Sequence, residues 1–105
     1  MTTFDDREKG FERKFALDQD QEFRAGARRN RLLGEWAANL MGLKDTDDYA
    51  KAVVKSDFEQ PGDEDVLRKV FGDLKGAGVD VTEAAVRRKM DELLSQAREQ
   101  IKNGE

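Results

Sequence analysis

Between Phe23 and Ile101 the apolar residues return every three or four positions. The runs they form are parted by Gly42, Pro61-Gly62 and Gly76-Ala77-Gly78. A half-buried strand would bury every second residue, so this period commits the chain to amphipathic helices. The first run passes through Phe23, Leu32, Leu33, Trp36, Ala37 and Leu40 and predicts a helix over about Gln21 to Met41, with Gly42 as its C-cap. A second helix opens at Thr46, carries Asp47 and Asp48 in its first turn and turns Tyr49, Val53 and Val54 inward. Pro61-Gly62 stops it, and Asp63 is placed to cap a third helix built on Val66, Leu67, Val70, Phe71 and Leu74. A fourth begins near Asp80 or Thr82 and shows Val86, Met90, Leu93, Leu94, Ala97 and Ile101. Four helices on short connections predict an all-α fold, a small four-helix bundle over residues 19–105.

The N-terminal stretch does not share this phase. Phe4, Phe11 and Phe15, spaced by seven and four, stack on one side of a helix. Asp18 and Glu22 then take the next positions on that side, so the stripe ends before the bundle's stripe begins. Thr3 can cap such a helix, Asp5 and Asp6 suit its first turn, and Asp5 and Lys9 form an acid-first pair four apart. Gly10 opposes it by roughly 1 kcal/mol relative to alanine, and a helix this short is marginal in water by itself. Residues 1–18 are therefore expected to be a flexible or partly helical segment ahead of the bundle. Two readings stay open for it. It is an extension of the first helix with its phenylalanines folded back on the bundle, or a helix kept for a groove on another protein.

Composition narrows the function. With 105 residues there is room for a single modest core, and 40% charged residues against 37% hydrophobic ones suit helices with broad solvated faces. The chain has neither cysteine nor histidine, which removes disulfides, thiolate metal sites and the usual nucleophile–base pairs. An enzyme is not expected. The net charge of −4 argues against DNA and against anionic membrane surfaces. No run is apolar enough to enter a membrane, and the acidic N-terminus is unlike a signal peptide, so a cytoplasmic protein is expected.

Two further stretches carry candidate chemistry. In "RAGARRNRLLGEWAAN" the arginines Arg24, Arg28 and Arg31 fall on or near one helix face, and Arg29 lies beside Leu33 and Trp36. Guanidinium forks bind phosphate well, so this Arg24–Arg31 cluster allows a nucleotide- or RNA-binding regulatory module. The simpler reading is a solvated face on which the arginines pair with carboxylates such as Glu35. Gly26 and Gly34 allow a close helix approach. Asp63, Glu64 and Asp65 lack the alternating oxygen ligands of a calcium loop and read as helix-start carboxylates.

Taken in order, "FDDREKGFERKFALD", "RRNRLLGEWAANLMG" and "DYAKAVVKSDFEQPGDEDVLRKVFGDL" resemble the zeta subunit of bacterial F-type ATP synthases, from about Thr3 to Ile101. The resemblance implies a noncatalytic inhibitor whose N-terminal segment enters an interface of the alpha, beta and gamma subunits and blocks rotation during ATP hydrolysis. Carried over onto this sequence, the working face is Phe4, Asp5, Asp6, Arg7, Glu8, Phe11, Arg13, Lys14 and Phe15. The resemblance also implies a weak ATP or ADP site on the bundle, for which Arg28 and Arg29 are the candidate phosphate contacts. It requires no cofactor, and it places the protein peripheral to the inner membrane through the ATP synthase. An adaptor presenting the same helix to some other partner is the remaining alternative.

Overall fold

The computed structural model of the protein describes residues 17–105. Within them the chain forms four helices: α1 (Gln19–Met41), α2 (Thr46–Glu59), α3 (Asp63–Gly76) and α4 (Glu83–Lys102). No strand occurs among the described residues, and the all-α bundle is as expected from the period of the apolar runs.

Local chemistry sets most of the boundaries. Asp18 closes a full capping box on α1: its Oδ1 accepts from the Gln21 N–H at 2.7 Å, and the Gln21 side chain accepts from the Asp18 N–H at 3.1 Å. Helix α1 thus starts two residues earlier than the spacing of apolar residues suggests, and Asp20 belongs to it. At its other end Gly42 sits at φ 72°, the left-handed conformation that a side chain disfavours, and terminates the helix as expected. Asp45 accepts from the Asp48 N–H to cap α2, and Thr82 accepts from the Ala85 N–H to cap α4. The start of α3 differs from expectation. Its N-cap is Gly62, at φ 138°, and Asp63 is the first helical residue with its carboxylate turned elsewhere.

The core lies where the four apolar stripes meet. Leu33 and Ala37 of α1, Val53 of α2, Leu67 and Val70 of α3, and Val86 and Met90 of α4 are buried in one cluster. A smaller cluster of Ala25, Ala97 and Ile101 joins the open ends of α1 and α4, and Leu17 packs on it. The α1 stripe is not buried throughout. Phe23 and Leu40, expected on its inward face, are 61% and 43% exposed; Phe23 meets Phe58 of α2, itself at the surface. Tyr49 crosses from α2 to α3 and donates its hydroxyl proton to Asp73 at 2.7 Å, while the Lys69 ammonium sits 5.5 Å from the ring centre. Burial, then the hydrogen bond and charge of Asp73, push the Tyr49 phenol well above its ordinary pKa, so it stays a neutral donor.

Helices α1 and α2 run antiparallel, since the contacts Gly34–Ala50, Asn30–Asp57 and Phe23–Phe58 climb α2 as they descend α1. Their seam is tightest at Gly34. A Cβ there would stand 2.6 Å from the Ala50 Cα and 3.2 Å from its Cβ, a clash with backbone that no side-chain rotation relieves. Gly26, the other glycine of α1 expected to permit close approach, has nothing within 4 Å of such an atom. Opposite outcomes follow for one substitution. Gly34→Ala should lower the unfolding free energy by about 1–2 kcal/mol, overpacking outweighing the gain in helix propensity. Gly26→Ala should raise it by up to about 1 kcal/mol, and paired denaturant titrations of the two variants check both signs.

Candidate functional site

The residues expected to form the inhibitory face, Phe4 through Phe15, lie outside the described residues. The bundle shows the other candidate, the arginines of α1, together with a groove that neither composition nor spacing announces.

The arginines do not act as one cluster. Arg24 pairs with Asp20 one turn back at 3.3 Å, and Arg31 pairs with Glu35 one turn on at 3.4 Å and with Asp47 of α2 at 3.5 Å. These are exposed pairs of the expected solvated-face kind, each worth little to stability. Arg28 reaches across to the end of α4, where its guanidinium donates to the Gln100 side chain at 3.3 Å and to the Glu105 carbonyl.

Arg29 is different in kind. Its side chain is only 5% exposed. One Nη donates to Asp63 Oδ1 at 2.7 Å, and Nε donates to the buried Asn30 Oδ1 at 2.8 Å. The Asn30 amide donates in turn to Asp57 at 3.0 Å, and the other Asp57 oxygen accepts from the Gly62 N–H at 3.3 Å. This chain of bonds ties the Pro61-Gly62 turn to α1 and draws Asp63 away from a capping role. A phosphate at Arg29 would have to displace Asp63. The signal in the sequence was its spacing: four residues before Leu33 and seven before Trp36, Arg29 lies on the apolar face. The rest of the acidic run is engaged too. Glu64 takes Arg87 in a bidentate pair at 2.7 and 3.1 Å, which holds its carboxyl below the usual range, and Asp65 meets Arg68 at 3.4 Å.

Beyond the tight contact at Gly34 the α1–α2 seam opens into a groove of about 870 Å³. Ala27, Val54 and Phe58 give it an apolar floor. Arg28 and Arg31 from α1, and Lys51 and Lys55 from α2, surround that floor, with Asp47 the one carboxylate of the lining. Toward the start of α1 it runs into a second hollow of about 310 Å³, which shares Ala27, Val54 and Phe58 and adds Phe23. Phe23 and Phe58 meet edge to face with ring centres 5.7 Å apart, yet both stay exposed, at 61% and 64%. Two adjacent exposed phenylalanines are a feature of interaction surfaces rather than of ordinary solvated helix faces. The exposure of Phe23, where its spacing predicts burial, could not be read before α2 was in place.

A four-helix domain with a cation-rimmed aromatic groove is equipped for holding a partner segment. The sequence profile of ATPase inhibitor subunit zeta matches residues 1–100, and the chain belongs to that family. It is similar to a protein whose solution NMR structure is known, at 44% identity over 80% of this chain and 98% of that one, with a TM-score of 0.68. No curated protein matches it. The resemblance carried by the three quoted stretches is thereby borne out at the level of the family.

The Arg29 network makes an asymmetric prediction. Asp63→Ala strands a buried guanidinium and should destabilise the bundle by about 2 kcal/mol or more. Arg29→Met removes the buried charge with its partner left in solvent and keeps an apolar stem, so it should cost less. Thermal unfolding of both variants checks the order.

Proposed function

We propose that this chain is a noncatalytic inhibitory subunit of an F-type ATP synthase, acting through residues 1–18. The observation that carries the reading is the capping box at Asp18. It starts α1 at Gln19, with Leu17 and Asp18 outside the helix. The family match includes residues 1–18, since it begins at residue 1.

In this reading the phenylalanines fill apolar slots between the alpha, beta and gamma subunits. Asp5, Asp6, Arg7, Glu8, Arg13 and Lys14 set register by pairing with charges of the cleft. A catalytic interface opens and closes as the rotor turns. A helix that binds one of those states more tightly opposes passage through the other, and this requires no acid, base or metal of its own. The bundle is the handle that delivers the segment, and the protein sits at the membrane only through the synthase. Among the described residues no helix is long and apolar enough to cross a membrane.

Purified chain added to the matching catalytic head should inhibit ATP hydrolysis, and a version lacking residues 1–18 should not. Unchanged hydrolysis with the full chain would sink the reading. Replacing Phe11 and Phe15 together by alanine should raise the half-inhibitory concentration about tenfold or more, with the helical signal of the bundle intact.

The cation rim of the groove supports a second reading, weak ATP or ADP binding, with Arg28 as phosphate contact together with Arg31 and Lys51. Arg29 is left out of it, being committed to Asp63. Titration with ATP should then shift the amide signals of Ala27, Arg28 and Arg31. A flat titration there removes the nucleotide site.

A further inference from the structure

We propose that the α1–α2 groove docks an acidic amphipathic helix of a partner protein, one that presents two apolar anchors and, a turn further along, a pair of carboxylates. The inference concerns the surface of the bundle and stands whether or not the chain inhibits hydrolysis.

The groove is built as a ladder. On α1, Phe23, Ala27 and Arg31 follow one another at intervals of four residues and so share one helix face. On α2, Phe58, Val54 and Lys51 do the same in the opposite direction, at intervals of four and three. Antiparallel packing sets them side by side as an aromatic rung, Phe23–Phe58, an apolar rung, Ala27–Val54, and a cationic rung, Arg31–Lys51. Arg28 and Lys55 flank the middle rung from the two rims. From Phe23 to Arg31 the ladder runs about 12 Å, a little over two turns of helix. The two hollows share Ala27, Val54 and Phe58, so they form one elongated trough. That shape suits a helix laid lengthwise between α1 and α2.

The rungs set the pattern of the occupant. Apolar residues at i and i+4 meet the aromatic and apolar rungs, and acidic residues at i+7 and i+8 meet Arg31 and Lys51. Acids on either flank of that helix come level with Arg28 and Lys55.

Charge selects an acidic helix over a basic one. Arg28 donates only to neutral oxygens, those of the Gln100 side chain and the Glu105 backbone. Arg31 and Lys51 divide one carboxylate, Asp47, at 3.5 and 3.2 Å. Arg31 also meets Glu35 at 3.4 Å, and Lys55 stands 3.9 Å from Glu59. Such exposed pairs are worth little, so a partner's carboxylates can replace them at small cost. The acids at the aromatic end are held more firmly. Glu22 is bound by Arg98 at 3.0 Å, Asp63 by Arg29, and Asp57 by the Asn30 amide and the Gly62 N–H. A second copy laid groove on groove would set Arg28 and Lys55 against their own equivalents, a like-charge contact.

The probe is a synthetic alanine-based helix with two leucines one turn apart, two glutamates a turn beyond and further glutamates along both flanks. Added to the isotopically labelled full chain, it should shift the amide signals of Ala27, Arg31, Lys51, Val54 and Phe58, and its binding should weaken as salt is added. Replacing its glutamates by lysines should weaken binding about tenfold or more. The double variant Phe23→Ser with Phe58→Ser should do the same from the protein side, and because both side chains are exposed the bundle keeps its fold. Lys51→Gln with Lys55→Gln, at two side chains each 78% exposed, should weaken binding about five-fold. An absence of shifts in the groove, equal binding of the lysine peptide, or indifference to both double variants overturns the dock. So do groove signals that move with protein concentration before any peptide is added, which would assign the face to a second copy. ATP added alone is the last arm. If it moves these signals and the peptide does not, the groove is a nucleotide site and the inference fails.

Discussion

The approach of α1 to α2 at Gly34 is the constraint on which the other arrangements depend. Backbone meets backbone there, with the Ala50 Cα in the place a side chain would take. A contact of this kind has no slack: a larger residue moves the helix rather than a rotamer. It fixes the depth at which α2 lies along α1, and so fixes which side chains meet on either side of the seam. One side closes over Leu33, Ala37 and Val53 to become the core. The other stays open, and its floor and rim become the groove.

The same alignment explains how an arginine comes to be buried in a small domain. With α2 held close, its last turn and the Pro61-Gly62 bend fall beside Asn30 and Arg29. Asp57 and Asp63 then satisfy groups that would otherwise be costly to remove from water. Arg29 stems from the apolar face of α1 and carries its charge out to the α2–α3 turn. The resulting network orients α3, whose Val66, Leu67 and Val70 complete the core. One buried cation thereby links the tight pair α1–α2 to the second pair. The outer arginines, in short surface pairs, do no such positioning.

This division bears on function. In the inhibitory reading proposed above, a segment that acts on a partner needs a firm body behind it. Rigidity comes from the seam and the Arg29 network. The groove that the seam leaves open keeps Phe23 and Phe58 at the surface of that body.

The helical period, the breaks at Gly42 and Pro61-Gly62 and the starts of α2 at Thr46 and of α4 near Thr82 were legible in the sequence, because each depends only on residues within a turn or two. So was the family, through three ordered stretches. The break of phase after Phe15 was legible as well, and α1 starts just beyond it at the Asp18 cap. What spacing alone could not assign was partnership over distance. Arg29 looked like a phosphate ligand until Asp63, thirty-four residues on, was found against it. Phe23 looked like core, yet it stays exposed beside Phe58 of α2. Gly26 and Gly34 read alike, and only the position of Ala50 separates them. The sequence by itself determined the helices, their ends and the lineage. The tertiary structure decided which polar and aromatic side chains are spent inside and which remain for a partner, because burial depends on what the rest of the chain brings alongside.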